Sequence, residues 1–378
     1  MKKILYIVST LKRSGPTNQL YNLIKYIDQS RFELHLLTLS PEPEDSRSED
    51  YRALGVHLHS MSLSRFTSFF FARRKLKKII KQIKPSIIHT QGIRSDILVA
   101  DLPLINITRV CTIHNIPQQD YAMRYSKFFA KIMLHKHMKA LPKFNLCVGV
   151  SKSVSKNLQD FFGIENVTAI QNGIDTDIYY PGSLAEKAIL REKLGLPVIG
   201  KIWISSGHLS HLKDPLFLIN SWQHIIALDN NNHLVFIGNG KIENECRDAA
   251  AENTNIHILG RVTNVAEYLR ASDYFISASK SEGLPNAVLE ALASSLPILL
   301  SDINAHREIW EMSTNTGEIF TLDNLQNFTT ALIKINKTNY SQMSVASTEL
   351  VSQHLSAKKM SQRYQNIYKN ALSIYKNK

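Results

Sequence analysis

Short apolar runs rich in β-branched side chains recur along the whole chain, with longer stretches of helical periodicity between them. In the first half they predict strands over residues 4–9, 33–39, 56–60, 86–89, 107–113, 146–150 and 167–171. Helical patterns fall between most of these, at 17–27, 69–83, 121–141 and 151–162. The rhythm then restarts, with strands over 201–205, 233–237, 256–259, 274–277 and 298–300. Runs that are apolar without alternation, joined by helices, predict parallel strands covered on both faces. Two such series predict an α/β protein of two domains, 1–172 and 173–355. The boundary is the turn-rich stretch 172–182, which contains Asn172, Gly173, Pro181 and Gly182. Residues 356–378 read as a long amphipathic helix with no strand after it, expected to pack back toward the first domain.

Composition changes this picture in two places. The chain has 378 residues and a hydrophobic share of 44%, with no apolar run of the length a spanning helix needs. Residues 1–10 read as a buried first strand rather than a signal peptide, because Lys12 and Arg13 follow the apolar stretch where a cleavage site would lie. Cys111, Cys147 and Cys246 are widely spaced, which fits free thiols in a reducing cytoplasm and no metal site.

Charge is the second place. The net charge is +13, and residues 1–180 carry 26 Lys and Arg against 14 Asp and Glu, whereas the remainder is nearly balanced at 19 against 18. Two stretches, 65–84 and 121–143, contain no acid and interleave bases with aromatic residues. In the second, Arg124, Lys127, Lys131 and His135 share one helical face, and Tyr121, Tyr125, Phe128 and Phe129 accompany them. An anionic membrane surface is the partner this composition predicts, at the inner face of the plasma membrane. No recognised nucleic-acid module accompanies the charge, so nucleic acid is not expected.

The chemistry concentrates in Ser281-Glu282-Gly283-Leu284-Pro285-Asn286-Ala287-Val288-Leu289-Glu290, which follows the predicted strand 274–277. Pro285 suits the first position of a helix. Glu282 then lies in a loop at the carboxyl end of a strand, and Glu290 lies about a turn and a half into the helix. Backbone N–H groups near Gly283 and Leu284 face the same space, and the two carboxylates can accept hydrogen bonds from vicinal hydroxyls. That combination fits an anionic, hydroxyl-rich ligand at the crevice of an open α/β sheet. Asp175-Thr176-Asp177 has the form of a metal-binding D-x-D, but its place in the boundary turn makes it structural. His135 and His137 would face nearly opposite sides of a helix. Gly238-Asn239-Gly240 is a weak glycine signal, and no G-x-G-x-x-G accompanies it.

Two glutamates seven residues apart in a Ser-Glu-Gly-x-Pro context resemble the signature of the retaining glycosyltransferases of family 4, the group 1 glycosyl transferases. The resemblance extends to Asn172-Gly173-Ile174-Asp175, to Ser206-Gly207-His208 with Lys213-Asp214, to Phe236–Gly240 and to Leu259-Gly260-Arg261-Val262. It implies the GT-B fold, two Rossmann-like domains facing an interdomain cleft. It implies transfer of a sugar from a nucleoside diphosphate sugar to a hydroxyl of a glycan or lipid-linked glycan, of the kind built into bacterial surface polysaccharides, with no metal and no further cofactor.

The residues map onto this chain as follows. Glu290 would bind ribose hydroxyls and Glu282 those of the transferred sugar. Lys213 would neutralise the leaving diphosphate, and His208 would face it. Gly283 and Leu284 would help hold sugar and diphosphate, while Arg261 and Val262 would line the base. Gly15 would let the backbone approach phosphate or acceptor, and His114 would reach the donor sugar. Two positions depart from the pattern. The family commonly has Arg where His208 stands, and the first loop reads Ser14-Gly15-Pro16 instead of paired glycines. A nucleotide-sugar 2-epimerase on the same fold and an inactive sugar-nucleotide binder remain the alternatives.

Overall fold

The computed structural model describes residues 1–63, 65–124, 126–226 and 229–374. The chain divides into two compact units, Met1–Gly173 with the chain from Ala357 onward, and Ile174–Ser356.

Unit 1 is built on seven parallel strands: β1 (Lys2–Val8), β2 (Phe32–Thr38), β3 (His57–Ser60), β4 (Ile87–Gln91), β5 (Thr108–Ile113), β6 (Leu146–Gly149) and β7 (Val167–Ala169). Their order is β3-β2-β1-β4-β5-β6-β7. The order reverses at the β1/β4 junction, as in dinucleotide-binding sheets. Helices cover both faces, so Ile4, Leu5, Tyr6 and Ile7 are all buried whichever way they point. The helix expected over 121–141 is two helices, Pro117–Arg124 and Lys127–Ala140. Ser126 interrupts it, taking an extended ψ of 152° and starting the second helix. Tyr125 and the side chains of Arg65, Phe66, Phe69, Phe70 and Arg124 lie outside the described residues, as do residues 375–378.

Helix Ala357–Ile374 belongs to unit 1 and contributes Met360, Tyr364 and Tyr368 to the core around Ile4 and Tyr6. It also carries a buried polar seam. Tyr368 Oη lies 2.7 Å from His89 Nδ1, Thr112 Oγ1 lies 2.8 Å from His89 Nε2, and Tyr364 Oη lies 3.0 Å from Thr112 Oγ1. Burial pushes the His89 pKa down to about 3, so the ring is neutral and needs both partners.

Unit 2 is built on β8 (Lys201–Ser206), β9 (Asn232–Ile237), β10 (Ile256–Ile258), β11 (Tyr274–Ser277), β12 (Ile298–Ser301) and β13 (Gly317–Phe320), in the order β10-β9-β8-β11-β12-β13. Its strand order reverses at the β8/β11 junction. Trp203 stacks on Tyr274 at 4.2 Å within a core that includes Trp222, Phe236, Phe320 and Phe328. Strand β13 was not expected from the sequence. Its four residues include Glu318, too little apolar pattern to register, and its extended state comes from pairing with β12.

The chain leaves and re-enters unit 1 at adjacent residues. Gly173 is anchored in unit 1, donating its N–H to Gln19 Oε1 at 3.1 Å and accepting from Asn22 Nδ2 at 2.9 Å. Ile174 donates to the Leu355 carbonyl at 2.8 Å and forms a parallel bridge with Ser356. Asp175 accepts the Asp177 N–H at 3.2 Å, a local turn.

The seam on His89 yields a stability prediction. Tyr368→Phe removes one partner and leaves a buried ring nitrogen unsatisfied, which costs about 1–3 kcal/mol. Urea unfolding followed by a probe in unit 1 should show that loss, and an unchanged midpoint would contradict it.

Candidate active site

The site is assembled where the strand order of unit 2 reverses, from the loops that leave β8 and β11. The β8 loop is held in place by backbone. Gly207 donates to the Ile237 carbonyl at 3.0 Å, Leu209 to that of Asn239 at 3.1 Å, and Gly238 in turn to that of Gly260 at 2.7 Å. The approach is close enough that a Cβ at residue 238 would sit 1.9 Å from the Gly207 oxygen, and one at residue 240 would sit 2.0 Å from the Leu209 oxygen. The glycines that looked weak in the sequence are therefore obligatory for the shape of the β8 loop.

Ionic contacts then tie the β8 loop to the β11 loop. Lys213 Nζ is hydrogen-bonded to the Glu282 carboxylate, and Ser279 donates its hydroxyl to Glu282 Oε1 at 2.9 Å. In the opposite sense, Lys280 Nζ pairs with Asp214 at 2.7 Å, and the Lys280 N–H donates to the Leu212 carbonyl at 2.7 Å. Asp214 adopts φ +47°, a left-handed conformation uncommon for a residue with a side chain. Two crossed ion pairs of partly shielded groups hold this geometry more firmly than an exposed pair would. The Lys280–Asp214 pair was missed in the sequence, and its only trace is Lys-Asp on one loop answered by Lys-Ser-Glu on the other.

Ser206, Gly207, His208, Lys213, Glu282 and Pro285 line one crevice. His208 is exposed at its rim, and Gly283 and Leu284 are buried behind it. Helix Asn286–Ala293 starts one residue later than expected, with Pro285 extended before it at φ −75° and ψ 113°. Glu290, in its second turn, is half-buried. Burial raises its pKa to about 7, opposed by a hydrogen bond from Tyr179 and the charge of Lys213. Arg261 is exposed and Val262 half-buried just past β10.

The remaining two predicted residues are in unit 1. Gly15 is exposed in the first turn of helix Gly15–Lys25, beyond β1. His114 follows β5, with Nε2 donating to Gln91 Oε1 at 3.1 Å, and burial lowers its pKa to about 4, so the ring is neutral. Among the described residues, no group of three or more His, Cys, Asp or Glu is placed to hold a metal ion.

Residues 13–178 match the model of glycosyltransferase family 4, and residues 200–337 match that of the glycosyl transferases group 1. The chain belongs to the group 1 glycosyltransferases. It is similar to the capsular polysaccharide biosynthesis glycosyltransferase CapH of Staphylococcus aureus, 25% identical over 319 residues that cover 82% of this chain and 84% of CapH. It is also similar to an Escherichia coli UDP-Gal:alpha-D-GlcNAc-diphosphoundecaprenol alpha-1,3-galactosyltransferase, 26% identical over 69% of this chain and 68% of that enzyme. Among solved structures, Anabaena HepE in complex with UDP superposes with a TM-score of 0.81 at 15% identity, covering 98% of this chain and all of that one. The glycosyltransferase thus has the GT-B fold, and its two parallel sheets are the two Rossmann-like domains of that fold.

The raised pKa of Glu290 ties stability of this glycosyltransferase to pH. A folded pKa of about 7 against an unfolded value near 4.5 means the folded state holds the proton more tightly. That stabilisation is complete below the unfolded pKa and is lost as pH rises through about 7. Glu290→Gln cannot lose it. The melting temperature of the variant relative to the parent should therefore rise between about pH 5 and pH 8. A constant difference would refute the assignment.

Proposed function

We propose that this glycosyltransferase is a retaining hexosyltransferase that works without a metal ion. It moves a sugar from a nucleoside diphosphate sugar to a hydroxyl of a glycan or lipid-linked glycan during assembly of a bacterial surface polysaccharide. The observation that carries the reading is the Lys213–Glu282 contact at the β8/β11 junction, with Glu290 half-buried within the field of Lys213. As the bond from the sugar C1 to phosphate breaks and one to the acceptor oxygen forms, the bonding electrons leave with the diphosphate, on which negative charge grows until it takes up the proton of the acceptor hydroxyl. Lys213 is fixed in advance where that charge develops, and a preorganised cation is the largest single contribution such a site can make. His208 adds a donor at the rim. Glu282 accepts from hydroxyls of the sugar and Glu290 from those of the ribose, with Gly283 and Leu284 beneath the sugar and diphosphate and Arg261 and Val262 beside the base. In unit 1, Gly15 gives access to the phosphate or acceptor, and neutral His114 can serve a sugar hydroxyl. The names of the relatives agree with this reading, since one belongs to capsule synthesis, another specifies UDP-Gal and an undecaprenyl diphosphate acceptor, and the structural neighbour holds UDP.

A turnover assay with UDP-sugars and lipid-linked acceptors tests the reading. Glu290→Gln should weaken binding of free UDP at least about tenfold, whereas Glu282→Gln should spare UDP binding and lower turnover. Turnover should survive EDTA, and the product should keep the anomeric configuration of the donor. A parent that releases UDP without forming a glycoside would remove the proposal.

The acceptor side of the proposal includes a membrane. Among the described residues no helix is long and apolar enough to cross one. Helix Lys127–Ala140 nonetheless presents Phe128 and Phe129 at 70% and 60% exposure beside exposed Lys127 and Lys131. Beneath it, His137 Nε2 lies 2.9 Å from Asp96 Oδ2, and Tyr121 Oη lies 2.6 Å from His137 Nδ1, so the aromatic face is pinned outward. Each base near an anionic leaflet adds about 1 kcal/mol of attraction. The chain should co-sediment with phosphatidylglycerol vesicles more than with phosphatidylcholine ones, less so at high salt, and Lys127→Glu/Lys131→Glu should reduce the difference. Equal binding to both vesicle types would return this face to an ordinary solvated surface.

A further inference from the structure

Behind Glu282 lies a fully buried histidine that no role above uses. His306, in helix Asn304–Trp310 after β12, has Nδ1 at 2.9 Å from the Ser301 carbonyl and 3.1 Å from Ser301 Oγ. The Ser301 hydroxyl reaches the Ser279 carbonyl at 2.6 Å, and the Ser279 hydroxyl reaches Glu282 Oε1 at 2.9 Å. Carbonyl oxygens only accept, so the protons can be assigned. Ser301 must donate to Ser279, and His306 must carry its proton on Nδ1 to face the Ser301 carbonyl. Burial lowers the His306 pKa to about 4, which keeps the ring neutral and leaves Nε2 bare. Among the described residues Nε2 has no hydrogen-bond partner. A buried ring nitrogen without a protein partner is not something an aliphatic side chain would bring to this position. What the imidazole gives in exchange is the Nδ1–H donor at the start of the chain that ends on Glu282.

We propose that His306 is a positioning residue for Glu282, acting through Ser301 on β12 and Ser279 in the β11 loop. The proposal rests on the sugar-contacting role given to Glu282. The hydrogen bonds from His306 fix the side chain of Ser301, Ser301 grips the main chain of the β11 loop, and the hydroxyl of that loop orients the carboxylate that Lys213 holds from the other side. The linkage runs from the helix after β12, through β12, to the loop after β11 and does not involve Glu290, so nucleotide binding is spared when it breaks.

The experiment compares His306→Leu, His306→Asn, Ser279→Ala and the double variant His306→Leu/Ser279→Ala with the parent and Glu282→Gln. Asparagine is the conservative arm, because its amide N–H can stand where Nδ1–H stood. In UDP-sugar turnover, His306→Leu and Ser279→Ala should each lower kcat by about ten- to a hundred-fold, the scale of a small misplacement of a reacting group. KM and calorimetric UDP affinity should stay within about twofold, His306→Asn should recover most of the loss, and the double variant should be no worse than the worse single one. In ¹⁵N-histidine-labelled protein, His306 should show the Nδ1–H tautomer, a signature independent of the donor. An Nε2–H or doubly protonated ring, parental kcat in His306→Leu, or losses that multiply in the double variant would overturn the proposal. If Glu282→Gln is impaired while His306→Leu is not, this inference alone fails. If Glu282→Gln turns over like the parent, the reading of Glu282 fails first.

Discussion

The site depends on how closely two loops of unit 2 can approach each other. Where the strand order reverses, the loops leaving β8 and β11 diverge to opposite faces of the sheet, and a crevice opens between them. Its wall on the β8 side is the backbone of residues 207–209, which rests directly on residues 238 and 240 without an intervening side chain. Because that contact is backbone on backbone, it fixes the height of Lys213 above the sheet. Lys213 then meets Glu282, Asp214 meets Lys280, and the crevice keeps one shape. A methyl group at either glycine would push the wall outward and unmake the ionic contacts in turn.

Much of this was legible in the sequence, for identifiable reasons. Strands buried on both faces read as uninterrupted apolar runs, so β1, β8 and β11 stood out. The pair Glu282 and Glu290 stood out because a strand, a turn and a helix start place two acids at a fixed offset. Other features had no local signature. Strand β13 owes its conformation to β12 rather than to its own four residues. The partnership of Lys280 with Asp214 spans the reversal of strand order and exists only once the sheet has formed. The same holds for the hydrogen bonds that link His306 to Glu282, whose members are scattered over residues 279–306. The break at Ser126 is different, since a serine that starts a helix is a local sign that the periodicity overrode.

Glu290 shows how a fold can hold a carboxyl group in a costly state. Its carboxyl is shielded enough to push its pKa up to about 7, yet Tyr179 and Lys213 both favour the charge. Under the role proposed for Glu290, ribose hydroxyls donating to it would add to the side of the charge. Strongly perturbed acids in crevices are functional candidates for this physical reason.

The adjacent passages at residues 173–174 and 355–357 have a consequence for the history of the chain. Unit 2 begins and ends at neighbouring points, joined by the Ile174 hydrogen bond to Leu355 and the bridge to Ser356. A segment whose ends lie side by side can be lifted out and replaced by another of the same span without moving its host, since the gap to be closed is only one bridge wide. Unit 2 therefore has the geometry of a cassette. Recombination at those two points would exchange the half carrying Lys213, Glu282 and Glu290 while leaving the basic, aromatic half intact.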